Sequence, residues 1–395
     1  MALIRLDEPT THRIPPDTFS LFALGFRPFY LLAAMFSMVA IPLWALVYSG
    51  VLHTQIPGIW WHAHEMIFGF AAAVIVGFLF TAGKTWTGLD TPTGKPLAVL
   101  AAVWIAGRLA MAFGGNLIAA LADVVFLPVC ATIFFAVLLR SKSQRNYFIG
   151  GLLCVLSVAN LAFHLAQLGV VAVDPLKTLH FALGLIVLLE TIIAGRVVPM
   201  FTANALRGVK QWRNKGFDYT AIGFTAAALV LWAGEAGPWA AAVAVIAALL
   251  QFVRAGGWNP WATRVNALLW ILHVSHLWIP VGLLLLAATQ WGLLPRSAGV
   301  HALAIGATGG LIIGMITRTA LGHTGRMLVA GPVETAAYVL VQIAAVARVL
   351  TVAAIPAAAT GGVHLAATLW AIAFALYAWR YFPFLTRARV DGKPG

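Results

Sequence analysis

Apolar residues run along this chain in long blocks, separated by short clusters of charge, proline and glycine. A helix crossing a bilayer needs roughly 20 apolar residues. Twelve blocks approach or exceed that length: 20–48, 60–83, 96–113, 116–139, 147–170, 178–200, 217–234, 237–253, 264–289, 298–320, 332–354 and 361–382. The pair at 217–234 and 237–253 is divided only around Glu235-Ala236-Gly237-Pro238. The pattern predicts an all-α polytopic membrane protein of twelve transmembrane helices. It forms a single membrane domain over 1–395, with short tails at 1–18 and 386–395. Residues 1–18 are polar, contain Pro9, Pro15 and Pro16, and lack the apolar core of a signal peptide, so the first helix is expected to stay in place.

Composition agrees with the blocks. Of 395 residues, 62% are hydrophobic and 9% charged, against about 25% charged in soluble domains. The net charge of +13 would by itself suggest a nucleic-acid partner, but its distribution argues against one. Four arginines (Arg27, Arg108, Arg196 and Arg348) lie more than two residues inside a span. With a cytoplasmic N-terminus, Lys177 and Arg296 reach the far side, and the remaining 19 of the 25 basic residues lie on the near side. That is the positive-inside asymmetry of a multi-pass protein with both termini cytoplasmic. Cys130 and Cys154 both lie in apolar blocks and read as small core residues.

Self-comparison suggests a four-helix unit repeated three times, over about 19–145, 146–258 and 259–385, in a quasi-threefold array. His64 begins a run that closes on Trp86-Thr87-Gly88, and His301 begins one that closes on His323-Thr324-Gly325. His180 begins a third, with Phe201-Thr202-Ala203-Asn204 at the matching place. These are the second, sixth and tenth spans, the helices on which a repeat would place equivalent chemistry.

The histidines supply that chemistry. His62, His64, His164, His180, His301 and His364 fall in the outer half of the predicted bundle. His273 and His276 lie deeper, His323 lies in an inner loop, and His12 and His53 lie in the tail and the first outer loop. A lone intramembrane histidine commonly makes an interhelical hydrogen bond; six in one layer favour metal ligation, and imidazole binds both haem iron and copper. His62 and His64 point about 200° apart on a helix, so they cannot readily share one ion, and either is a candidate haem ligand. Gly69, Gly77, Gly306, Gly309, Gly310 and Gly314 are candidate thin walls for a haem slot or ordinary close-packing positions. Arg108 and Arg348 lie in the right layer for propionates. Glu65 and Glu190 are the candidate catalytic acids, Glu190 as a mid-span proton carrier or an arginine partner. Walker, dinucleotide and Gly-x-Ser-x-Gly motifs are missing, as is Cys-x-x-Cys-His, so a haem here would be b-type and non-covalent.

Four motifs carry a family resemblance: Gly25-Phe26-Arg27-Pro28-Phe29, Trp61-His62-Ala63-His64-Glu65-Met66-Ile67-Phe68-Gly69-Phe70, Gly195-Arg196-Val197-Val198-Pro199, and Thr317-Arg318-Thr319-Ala320-Leu321-Gly322-His323-Thr324-Gly325-Arg326. Together they resemble the NnrS family, over about residues 19–385. The resemblance implies a bacterial inner-membrane protein containing haem and copper, tied to denitrification and nitric oxide stress. It points to His62, His64, His180, His301 and His323 as motif residues. A more distant likeness is to the catalytic subunits of haem–copper oxidases and nitric oxide reductases, which would have His64 and His301 clasp one haem, with His62 the alternative. Helix seven has no histidine pair and helix ten no His-x-His, so copper would need another set, for which His180, His164 and His364 are candidates.

The function expected from these features is removal of nitric oxide by a haem-containing oxidoreductase that makes nitrous oxide, with electrons from a quinol or a soluble carrier. The alternatives are a transporter of a metal or nitrosyl–iron species, and a non-catalytic sensor or assembly factor. A same-orientation repeat counts against the inverted repeats of many transporters.

Overall fold

A computed structural model describes residues 14–15, 17–393 and 395. The expected tail 1–18, with Arg5, His12, Arg13 and Pro16, lies largely outside the described residues. Twelve helices are long and apolar enough to cross a membrane: α1 (Phe26–Tyr48), α2 (Gly58–Thr87), α3 (Gly94–Phe113), α4 (Asn116–Arg140), α5 (Gln144–Gln167), α6 (Pro175–Ala205), α7 (Lys215–Ala233), α8 (Pro238–Gly257), α9 (Ala267–Gln290), α10 (Arg296–His323), α11 (Pro332–Ala354) and α12 (Pro356–Thr386). Helices are the expected solution, because each satisfies its own backbone hydrogen bonds away from water. The protein is thus an all-helical, multi-pass membrane protein.

Burial divides the helices into two shells. In α2, α6, α9 and α10, between 61% and 78% of the most apolar window is buried; elsewhere the share is 50% or less. The first four form the centre, and the others turn residues such as Leu109, Leu121, Val158 and Leu249 outward. α1 packs along α12 and closes the ring, while α2 and α10 each pack on α6.

Two central helices are locally unwound. α2 passes through a π-helical segment at Glu65–Ala71, and α10 through another at Ala302–Gly309. Each begins immediately after a histidine, His64 or His301. α6, the third central helix with a cavity-side histidine near its start, has no such segment and runs as regular α-helix from Pro175 to Ala205. Such π segments shift the phase of the side chains that follow and often mark functional sites.

The loops resolve what the apolar pattern left ambiguous. Glu235, at φ 56°, and Gly237, at φ 58°, turn the chain between α7 and α8. Glu235 also accepts Lys177 Nζ at 2.6 Å and Arg296 Nη1 at 3.1 Å, so the two basic residues assigned to the cation-poor end meet one carboxylate. These hydrogen bonds hold the Glu235 carboxyl below the usual carboxylate range. A depressed folded-state value stabilises the protein above pH about 4.5, and that stabilisation is lost as pH falls through the lower, folded value. Glu235→Gln should therefore destabilise the protein at neutral pH and flatten the loss of thermal stability on acidification. Parallel wild-type and variant profiles of melting temperature against pH would show that the pair contributes nothing.

At the opposite, basic end the two described termini meet. Arg27 donates to the carbonyl oxygens of Leu385 at 3.1 Å and Arg387 at 2.7 Å, and Arg389 donates to His323 O at 2.9 Å. Arg254, one of the 19 basic residues counted on the near side, is buried in the last turn of α8. Its Nε contacts Asp218 Oδ1 at 2.8 Å and its Nη1 donates to Thr191 O at 3.1 Å. Its guanidinium lies over Gly195, where an added Cβ would collide with it. The Gly195-Arg196-Val197-Val198-Pro199 motif thus serves helix packing at this point.

Candidate functional site

α1, α2, α6, α10, α11 and α12 enclose a cavity of about 300 Å³, within the size range of small-molecule sites. Its walls are mainly apolar, from Ile41, Phe70, Leu179, Leu183, Ile305 and Trp370. Three imidazoles line it: His62 on α2, His180 on α6 and His301 on α10. Arg348 on α11 lines it too, and its Nη1 is buried without a partner. Arg296, held by Glu235, stands at its end.

Each imidazole is positioned by a specific neighbour. His62 stacks on Trp44 of α1, with ring centroids 4.5 Å apart and planes 12° from parallel. His180 lies against Trp232, centroids 4.8 Å apart. His301 Nδ1 is 2.7 Å from Ser297 O. A carbonyl can only accept, so Nδ1 carries the proton and Nε2 keeps its lone pair. This arrangement orients a metal-binding histidine.

The spacing of His62 and His64 left open which one faces a cofactor; the helix phase decides it. His62 lines the cavity, whereas His64 points away into a second, fully buried cluster. It is His62, not His64, that shares the cavity with His301. In the second cluster, His64 Nδ1 lies 2.9 Å from Glu65 Oε1, and His64 Nε2 lies 2.9 Å from Asn160 Oδ1 and 3.2 Å from Asp123 Oδ2. His164 Nε2 approaches the same Asp123 Oδ2 at 3.0 Å. Arg108 bridges Glu65 Oε1, at 2.5 Å, and Asp123 Oδ1. Arg108 is thus engaged with carboxylates and, unlike Arg348, does not line the cavity. Glu65 is likewise held in this cluster.

The other candidates disperse. His164 belongs to the buried cluster, His180 to the cavity, and exposed His364 meets Ser49 Oγ at 2.8 Å, so the proposed copper set is not brought together. His323 packs on Phe26 at the basic end, ring centroids 5.6 Å apart. Its motif caps α10 instead: Gly325, at φ 76°, turns the chain, and Thr324 Oγ1 donates to Ala320 O at 2.6 Å. Deeper in the bundle, His273 Nε2 meets Thr202 Oγ1 at 2.9 Å, while His276 stacks on Trp258, centroids 4.6 Å apart. The six glycines face neighbouring helices rather than the cavity; Gly306, for example, accommodates Trp278 and Gly77 accommodates Phe29.

Glu190 on α6 accepts a 3.0 Å hydrogen bond from Thr308, inside the π segment of α10. Thr308 lines the main cavity, and Glu190 lines a smaller one of about 80 Å³ that also contains Tyr30 and Met315. This single hydrogen bond joins the two spaces.

The arrangement defines a polytopic helical membrane protein with a histidine-lined, arginine-bearing cavity in its central helices. A family model described as NnrS protein matches residues 20–389, nearly the whole chain, and the chain belongs to that family. No curated protein matches the chain.

Proposed function

We propose that this protein binds haem b in the cavity and removes nitric oxide by reducing it to nitrous oxide, with the basic end and both termini in the cytoplasm of a bacterium and the bundle in its inner membrane. The observation that carries the reading is the trio His62, His180 and His301 around one apolar space, with the tautomer of His301 fixed by Ser297. The donors fit haem: imidazoles suit the iron, and the unpartnered Nη1 of Arg348 suits a propionate. His62 and His301 are the ligands we assign, with His180 the third imidazole facing the same space. Held there, haem would supply one-electron chemistry, and nitric oxide would reach the iron when one of the two histidines gives way.

Two nitric oxide molecules, two electrons and two protons give nitrous oxide and water. A quinol or a soluble carrier supplies the electrons. Glu190 holds a proton between the two cavities and passes it by way of Thr308. Glu190→Gln should leave haem content and spectrum unchanged and lower nitrous oxide formation about 100-fold or more, the usual contribution of a positioned acid. Unchanged turnover would remove Glu190 from the reaction.

The test of the reading itself is an optical spectrum of the purified protein, oxidised, reduced with dithionite, and then exposed to nitric oxide. A b-type Soret band that shifts with nitric oxide supports it, and nitrous oxide formation completes it. A b-type band indifferent to nitric oxide would make this a sensor or assembly factor with six-coordinate iron. A protein without haem would be read as a transporter of a metal or nitrosyl–iron species, which the interrupted helices α2 and α10 would suit.

A further inference from the structure

We infer that His64, His164 and Asp123 form a separate site for one first-row transition-metal ion. Among the described residues, these are the three whose ligand atoms all come within 4.8 Å of one another, and all three are buried. The donors converge from three helices: His64 from α2, Asp123 from the break in α4, and His164 from α5. Two imidazoles with a carboxylate are a standard donor set for such ions. The carbonyl oxygen of Asn160, 2.9 Å from His64 Nε2, stands beside them as a fourth oxygen.

Two independent features point to a missing cation. The first is the proton count on His64. Its Nδ1 faces the carboxylate of Glu65, and its Nε2 faces only Asp123 Oδ2 and Asn160 Oδ1. Asn160 Nδ2 is directed to Asp123, at 2.7 Å, so it is the Asn160 oxygen that meets the ring. A neutral imidazole has one proton, and here both ring nitrogens are surrounded by acceptors. With the proton on Nδ1, the Nε2 lone pair points at oxygen lone pairs, an arrangement that a cation between them relieves. A carboxylate on the outer nitrogen of a histidine is also the common support for a metal ligand.

The second feature is charge. Glu65 and Asp123 carry two negative charges and Arg108 one positive, leaving the buried cluster one positive charge short when both imidazoles are neutral. Arg108 occupies Glu65 Oε1 and Asp123 Oδ1, which leaves Asp123 Oδ2 turned toward both imidazoles. Glu65 Oε2 is buried without a partner. A cation bound between the imidazoles and Asp123 closes the balance.

The site is independent of the haem reading, and the experiment separates them. Full-length protein is purified in detergent, loaded with copper, washed with chelator, and analysed for copper, zinc and iron by mass spectrometry. One tightly held ion per chain beyond haem iron is expected. That ion should fall at least tenfold in His164→Ala and stay in His301→Ala, which loses haem instead. X-ray absorption of the loaded wild type should show imidazole scattering, a measurement that needs no variant. Should His164→Ala fail to fold, as judged by monodisperse elution, His164→Gln takes its place. A wild type that holds no ion after loading overturns the proposal, with His64 then an imidazolium. An ion retained in full by a folded His164 variant overturns it equally.

Discussion

His301→Ala is expected to abolish the b-type Soret band, and His62→Ala to do the same, while His364→Ala leaves it intact. His301 is the imidazole whose Nε2 is set free by a partner on Nδ1, and His62 is held against Trp44 on the same cavity. Removing either should cost more than the 10- to 100-fold in affinity that loss of a supporting hydrogen bond costs a metal site. Exposed His364 is engaged by Ser49 and lines no part of the cavity, so it is the internal control. The discriminating variant is His64→Gln. If His64 were the ligand, as the haem–copper oxidase likeness suggests, haem would be lost; from the orientation of the two rings it should be retained. Haem content per protein, read from the pyridine haemochrome, decides among these. Full haem in His301→Ala would refute the cavity as the binding site.

How much of this was readable from residues alone differs from element to element. The twelve spans were, because bilayer length and short polar breaks are one-dimensional signals. The observed helices differ from the apolar blocks mainly by extensions at the ends, such as α6 reaching Ala205 rather than 200. The layer containing His62, His64, His180 and His301 was readable too, since depth follows from position along a span. Direction around the helix axis was not. It depends on the phase of α2 and α10, and the π segments that set that phase share no signature: Glu65–Ala71 is mostly bulky, whereas Ala302–Gly309 is rich in small residues. Asp123 is an acid within an apolar block, but its meeting with His64, His164 and Arg108 is a product of four-helix packing and a break in α4 at Val124–Val125. The same holds for Arg254, whose place over Gly195 is invisible to a count of loop charges. For the acids, Glu190 as a mid-span carboxyl was legible; its hydrogen bond to a π-helical threonine was not.

The largest effect on stability is expected from Arg108→Leu. The guanidinium lies between Glu65 and Asp123, with all three side chains buried. Taking such charges out of water is costly, and their mutual attraction offsets that cost only while the group is complete. Leucine would leave two carboxylates near each other with no arginine, in a cluster that also joins α2, α3, α4 and α5. Breaking a buried pair from one side typically costs about 3–5 kcal/mol, and two carboxylates lose their partner here. The variant should therefore express poorly, or show a much shorter unfolding half-life in detergent, the appropriate measure where unfolding is irreversible. Asp123→Asn gives the comparison. It keeps the Arg108–Glu65 pair, removes one negative charge and should cost less. An Arg108→Leu protein as long-lived as wild type would mean that the cluster is neutral before the mutation, with protons on its carboxyls. That result would also remove the charge argument for a metal ion between His64 and His164.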